Sequence, residues 1–399
     1  MKVHDVRYEH DLYSDAAIGD PYPHYAALRE LGPAVWLTAH RCFAVARYAD
    51  AREVLTDDVT FASGEGVGLN PVVNRLSRGT TLNSDGDEHA ARRRLLAHRL
   101  TPRALRSMAD DVASQAEAVV AAAVATGEVD GVRDLAQALP LSIVPDLVGW
   151  PESGRQHLLR WAGATFDALG PLNARSARAT PAALGMMRFS RKVVRERSTL
   201  PGSMGSDVLA AADRGELDRS ACPALMIDYL APSLDTTISA ISSALVLLAR
   251  HPQQWDLLRA DPSLVPNAVN EVVRLESPLR AFSRVATTST KVGGQPVPAG
   301  SRVLVLYASA NRDEREWDRP TELDVTRDAS RQLGFGYGTH GCAGQGLARL
   351  ETQSLLTALL RRVERLELTG DPVPAMNNII KGWSSVPLRL VPDERRTDA

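Results

Sequence analysis

Cysteine is scarce in this 399-residue chain: Cys42, Cys222 and Cys342 are its whole complement. Three thiols so scattered exclude a disulfide framework and a CxxC zinc site. Long hydrophobic runs are missing too, since no segment reaches the roughly eighteen consecutive apolar residues of a membrane-spanning helix. The opening Met1-Lys2-Val3-His4-Asp5 is no signal peptide, so the expected location is the cytoplasm, away from membranes. A surplus of one charge is absent, with 46 basic and 48 acidic residues and a net charge of −2, which argues against nucleic acid as the main partner. Lysine occurs only at positions 2, 192, 291 and 381; with so much alanine, that is a bias of GC-rich coding and not a functional signal.

What is present begins with size. A chain of this length with 44% hydrophobic residues can bury a large core, and length alone suggests two or three domains. Its most distinctive stretch is Gly334-Phe-Gly-Tyr-Gly-Thr-His-Gly-Cys-Ala-Gly-Gln-Gly346, which places Cys342 after a glycine-rich turn and before an apolar helical pattern at Leu347, Leu350, Leu355 and Leu359. Glycines let a backbone approach a flat ligand, and a helix start favours a thiolate over a thiol. Three readings compete. One is a loop around a buried thiol acting as a small hydrophobe. A second is a dinucleotide loop, because Gly336, Gly338 and Gly341 satisfy GxGxxG; it fails, since the residues before it are polar and no βαβ unit follows. The third is a haem-thiolate loop.

Elsewhere the chain alternates around a turn at residues 39–41, as a hairpin would. Residues 61–84 are irregular. Thr101-Pro102 is an N-cap and N1 pair opening a long helix to about Gly127. Residues 171–219 are polar with weak periodicity and read as a mobile lid. The most apolar helix runs from Pro223 to about Arg250 and contains the unusual Asp235-Thr236-Thr237. Gly293-Gly294 is a hairpin turn, and residues 377–389 read as a last hairpin with Trp383 at its tip.

The run Phe335-Gly336-x-Gly338-x-His340-x-Cys342-x-Gly344 resembles, position for position, the cysteine-loop signature of the cytochrome P-450 superfamily. Further family motifs follow in order over roughly residues 10–390: His89-x-x-x-Arg93, Asp235-Thr236, Glu271-x-x-Arg274 and Arg284. The resemblance implies a mainly α fold with a small β-rich lobe, a triangular helical prism whose long central helix crosses over haem b. It overrides the length-based guess and makes residues 1–399 one domain. It implies Cys342 as axial ligand of the haem iron, with Phe335, Gly336 and Gly344 around the sulfur. His89, Arg93, Arg284 and His340 would bind the haem propionates, and Asp235 and Thr236 would deliver protons. Glu271 and Arg274, joined by Arg327, would lock the haem-side core. Phe166, Ser233, Leu279, Ser283 and Trp383 would face substrate.

One departure from the pattern stands in the central helix, where Pro232 and Ser233 replace the family's small residues. Pro232 cannot donate to the carbonyl of Asp228, so the helix is expected to kink or open there. The implied activity is that of a monooxygenase using O2, with electrons from a ferredoxin or flavodoxin and its reductase, so that NAD(P)H acts only indirectly. The absence of obvious buried charge suggests a small apolar, aromatic substrate, hydroxylated or O-demethylated. Alternatives are a hydroxylase of a secondary metabolite, a sensor without turnover and a peroxygenase; retention of the acid–threonine pair speaks against the last two.

Overall fold

A computed structural model describes residues 6–394; the first five residues, read above as no signal peptide, and residues 395–399 lie outside it. Six helices position the site: α1 (Gly86–Ala97), α2 (Pro102–Thr126), α3 (Leu158–Leu169), α4 (Cys222–Arg250), α5 (Val265–Glu276) and α6 (Gln345–Arg362). The architecture is the mainly helical one with small sheets that the resemblance implies.

Helix α4 is the axis. Every residue from Thr237 to Leu248 is buried, the pattern of a helix enclosed on all sides. It packs on α3, α5 and α6 and on the helices Ala174–Glu196 and Met204–Asp213. Among the described residues it is the one helix long and apolar enough to cross a membrane, and 78% of its apolar window is buried inside the protein. The expected opening at Pro232 does not appear: helical conformation is continuous through it. Two side chains bond back instead, Ser233 Oγ donating to the carbonyl of Tyr229 at 2.7 Å and Thr236 Oγ1 to that of Pro232 at 2.6 Å. Hydroxyls in that position bend helices slightly without interrupting them.

The β-rich part is a six-stranded sheet in the spatial order Arg7–Tyr8, Val35–Leu37, Cys42–Val45, Arg302–Val305, Phe282–Ala286 and Phe61–Ala62. Val35–Leu37 and Cys42–Val45 pair antiparallel, the hairpin read from the alternating pattern. Gly293 and Gly294, at φ 52° and 85°, turn the hairpin joining Thr290–Val292 to Gln295–Val297; only glycine takes two such angles without strain. Helix α2 starts where expected, Thr101 Oγ1 accepting from the amide of Ala104 at 3.2 Å.

Two sequence readings give way. Residues 171–219 form not a loose lid but two ordered helices, each opened by a capping box, Asn173 with Ser176 and Ser203 with Ser206. The buried stripe of the first, Ala179, Ala182, Met186, Ser190 and Val193, has helical spacing but uses small residues, which mutes the periodicity. Residues 377–389 make no hairpin of their own: Ile380 bridges Leu279, Trp383–Ser385 pairs with Val373–Pro374, and Pro387–Pro392 pairs with Val363–Leu368 and Glu128–Asp130. The hairpin present lies earlier, Val373–Pro374 against Trp383–Ser385, while Pro387–Pro392 takes partners further off in the sequence.

One buried ion network fixes α5 against the chain that leads to the cysteine loop. Arg274 and Glu271 are both fully buried and bonded twice, Nε to Oε2 at 2.7 Å and a terminal nitrogen to Oε1 at 2.9 Å. The remaining Arg274 donors reach the carbonyls of Asn311, Pro320 and Glu322. Arg327 Nε and the amide of Asp324 both donate to Glu271 Oε1 at 3.1 Å. A pair worth a few tenths of a kcal/mol on an exposed helix is here a five-armed clamp whose two charges have no access to water.

Candidate active site

A cavity enclosing about 1470 Å³ of atom-free space, its mouth included, lies between α4 and the cysteine loop. One wall is the loop itself. Gly336 at φ 71° and Gly338 at φ 68° fold it back, and the amide of Cys342 donates to the carbonyl of Phe335 at 2.7 Å. A Cβ on Gly338 would lie 2.4 Å from the carbonyl oxygen of Leu55, so the loop sits flush on the helix Tyr48–Thr56 only with glycine there. Burial pushes the Cys342 thiol up; the amides of Gly344 and Gln345 and the guanidinium groups of Arg93 and Arg349 oppose that. The helix start and the arginines thus favour the thiolate as the sequence suggests, but burial outweighs them, and a metal on the sulfur is what deprotonates such a thiol outright.

The floor is basic. His89 and His340 lie against each other with ring centroids 4.1 Å apart and planes tilted by 46°, and Arg93 and Arg284 border the same cavity. His340 is pushed down to about 3, first by burial and then by Arg284, His89 and Arg93. His89 is lowered by burial and by Arg93. Both imidazole Nε2 atoms are buried without a hydrogen-bond partner, a cost of roughly 1–3 kcal/mol each that a bound acceptor removes. Two guanidinium groups and two neutral imidazoles able to donate, all facing one space, suit anionic oxygens there. The haem that the resemblance implies fits on both counts, since its propionates answer the basic floor and its iron answers the sulfur.

The roof comes from α4. Asp228, Tyr229, Pro232, Ser233, Thr236, Thr237 and Ala240 all line the cavity, the i, i+4 stripe of one helix face. Leu82, Phe166, Leu279 and Phe282 complete apolar walls. Of the residues read from sequence, Cys342, Phe335, Gly336, Gly344, His89, Arg93, Arg284, His340, Thr236, Ser233, Phe166 and Leu279 therefore meet around one space.

Three others do not border it. Asp235 is one residue, and so about 100° of helix turn, away from Thr236; it faces α3, where a Cβ on Gly163 would lie 3.5 Å from its Oδ2. Burial and the nearby Asp167 carboxylate push it up to about 7. Ser283 lies between Phe282 and Arg284 on a strand, and alternation turns it to the opposite face, where its hydroxyl donates to the carbonyl of Gly68 at 3.2 Å and accepts from Arg302 at 2.8 Å. Trp383 is held near the far end of α4, its ring 5.7 Å from the Arg250 guanidinium.

Asp228 is the residue that sequence reasoning missed. It contradicts the expected absence of buried charge: its carboxyl is raised to about 6 by burial. The signal was available, because Asp228, Pro232 and Thr236 share one helix face at spacing four.

The chain is similar along nearly its whole length to bacterial haem enzymes. The family model described as Cytochrome P450 matches residues 195–382. Cytochrome p450 CYP199A2 of Rhodopseudomonas palustris is 38% identical over 377 residues, 94% of this chain and 92% of that relative. Linalool 8-monooxygenase of Pseudomonas putida is 29% identical over 406 residues, 96% of this chain and 97% of that protein. Among solved structures, Mycobacterium marinum cytochrome P450 CYP268A2 in complex with pseudoionone superposes with a TM-score of 0.86 at 28% identity, covering 97% of this chain and 100% of that one.

Proposed function

This chain belongs to the cytochrome P450 family, and on that premise we propose that Cys342 ligates the iron of a haem b held by His89, Arg93, Arg284 and His340. The family makes it a monooxygenase that takes O2, an organic substrate and electrons from redox partners. Bound at Cys342, haem iron supplies oxygen activation, and a thiolate ligand favours O–O cleavage. The observation that carries the assignment is the convergence of four basic side chains, two with orphaned nitrogens, on the cavity that Cys342 also lines.

The protein's own residues do the rest. The amides of Gly344 and Gln345 and the Arg349 guanidinium moderate charge on the sulfur. Phe335 covers one side of the loop under Arg349. Thr236 Oγ1 holds a proton at the roof of the cavity, bonded to the Pro232 carbonyl in the resting structure, and Asp235 resupplies it from the α3 side. Leu82, Phe166, Leu279 and Phe282 exclude water and grip the apolar body of the substrate.

The substrate is a small, largely apolar molecule, aromatic in part, that is hydroxylated or O-demethylated. The electron donor is a ferredoxin or flavodoxin fed by its own NAD(P)H-dependent reductase; Arg94 is exposed on α1 beside the haem floor and suits an acidic partner. The whole chain acts as one domain in the cytoplasm. The reduced, carbon-monoxide-bound spectrum of purified protein tests the core assignment: a thiolate-type Soret band is expected in wild type and lost in Cys342→His, and its absence from folded wild type overturns it.

A further inference from the structure

Asp228 is the one acidic residue among those lining the cavity, against the basic His89, Arg93, Arg284 and His340. Its carboxyl is anchored, Oδ2 accepting from the amides of Thr81 at 2.9 Å and Leu82 at 3.4 Å. Nothing positively charged acts on it: burial raises it, and only Thr81 and Leu82 oppose that. Beside it, Thr81 and Tyr229 line the same cavity, and the Thr81 side chain acts on both the Asp228 carboxyl and the Tyr229 hydroxyl. A carboxylate on the wall of a mostly apolar cavity is a poor choice for packing, because burying a charge with no opposite charge beside it is costly. It is a good choice for binding, because a cation arriving in a largely apolar cavity interacts more strongly than in water.

We propose that Asp228 is the specificity anchor of the pocket, pairing with a positively charged nitrogen, an ammonium or quaternary amine, on an otherwise apolar substrate. The inference rests on the haem-thiolate reading and deepens it. Asp228 stands eight residues before Thr236, about 12 Å along α4 at about 1.5 Å per residue. A molecule tethered there by its nitrogen presents its opposite end to the haem, so oxidation falls on a carbon remote from the nitrogen and the nitrogen keeps its substituents.

The test uses the haem-loaded protein and three probes of matched shape: a phenylbutyl chain ending in trimethylammonium, its tert-butyl isostere with carbon in place of nitrogen, and phenylhexanoate. A quaternary nitrogen has no lone pair to ligate iron. Dissociation constants are measured by calorimetry, independently of turnover, and the carbon-monoxide spectrum is recorded separately, so that failure of the haem assignment shows there and not in the binding series. Wild type is expected to bind the ammonium about tenfold or more tighter than either other probe. Asp228→Asn, which keeps an acceptor for the Thr81 and Leu82 amides, is expected to erase that preference while leaving the tert-butyl probe unchanged. Equal affinity of wild type for all three probes overturns the proposal, and this arm needs no variant to fold. So does an Asp228→Asn protein that weakens all three alike, the signature of a loop anchor.

Discussion

The guanidinium of Arg349 lies over the ring of Phe335, 4.6 Å from its centroid. The same side chain donates to Gln345 Oε1 at 2.8 Å and to Asn270 Oδ1 at 3.1 and 3.2 Å. One arginine therefore binds the start of α6, a side chain of α5 and the aromatic that opens the cysteine loop, while adding positive charge beside Cys342. Arg349→Ala is expected to release the ring, worth about 1 kcal/mol for a cation–π contact of this kind, and to leave the sulfur less well shielded. Faster haem transfer to apomyoglobin and a larger fraction of protein without the thiolate-type Soret band check this; Arg349→Lys should recover part of both.

Glu271→Ala removes the acid from a clamp in which Arg274 has no water to turn to. Breaking such a pair from one side costs roughly 3–5 kcal/mol, so urea denaturation should show a large fall in stability or no folded protein. Arg327→Ala removes one donor at the edge of the network, and its expected loss is smaller.

Asp235, raised to about 7, gives the pH profile a sign. A carboxyl whose value is raised in the folded state keeps its proton as pH climbs from the ordinary carboxylate range, and the stability this lends is lost as pH passes about 7. The same proton is available for delivery below about 7 and gone above it. Product formed per NAD(P)H consumed is therefore expected to fall across that range in wild type. Asp235→Asn should be poorly coupled throughout and lose that pH-dependent limb.

Pro232 lacks the amide that would close the bond to the Asp228 carbonyl, and a proline inside a helix costs about 3 kcal/mol. The continuous helix around it shows that packing overrides the cost. Pro232→Ala should raise the thermal midpoint, by an amount equivalent to about 1–3 kcal/mol. Thr236→Ala, by contrast, frees the Pro232 carbonyl and should uncouple NAD(P)H use from product, with Thr236→Ser restoring it.

Much of this molecule was legible in its residues, and the reason is local chemistry. The turn at Gly293-Gly294, the start of α2 at Thr101-Pro102 and the hairpin through Val35 and Ala44 each need only neighbours a few positions away. The cysteine loop carries its own conformational demands in Gly336 and Gly338. The apolar run of α4 announced a helix buried on every side. What stayed hidden was orientation and long-range pairing. Ser283 and Asp235 each sit one position from a residue that faces the cavity, and strand alternation or helix turn sends them elsewhere. Trp383 pairs with Pro374, and that hairpin carries its ring to the Arg250 end of α4.

By itself the sequence determined the fold family, the cysteine loop and the order of its supporting motifs, because residue type and short spacing dictate those. Only the tertiary structure decided which side chains share the cavity. It put Asp228 on the cavity wall with no positive charge acting on it, by laying the Thr81-Leu82 segment against α4. Burial and distance set the charge of such groups, and both arise only when segments far apart in the chain are packed together.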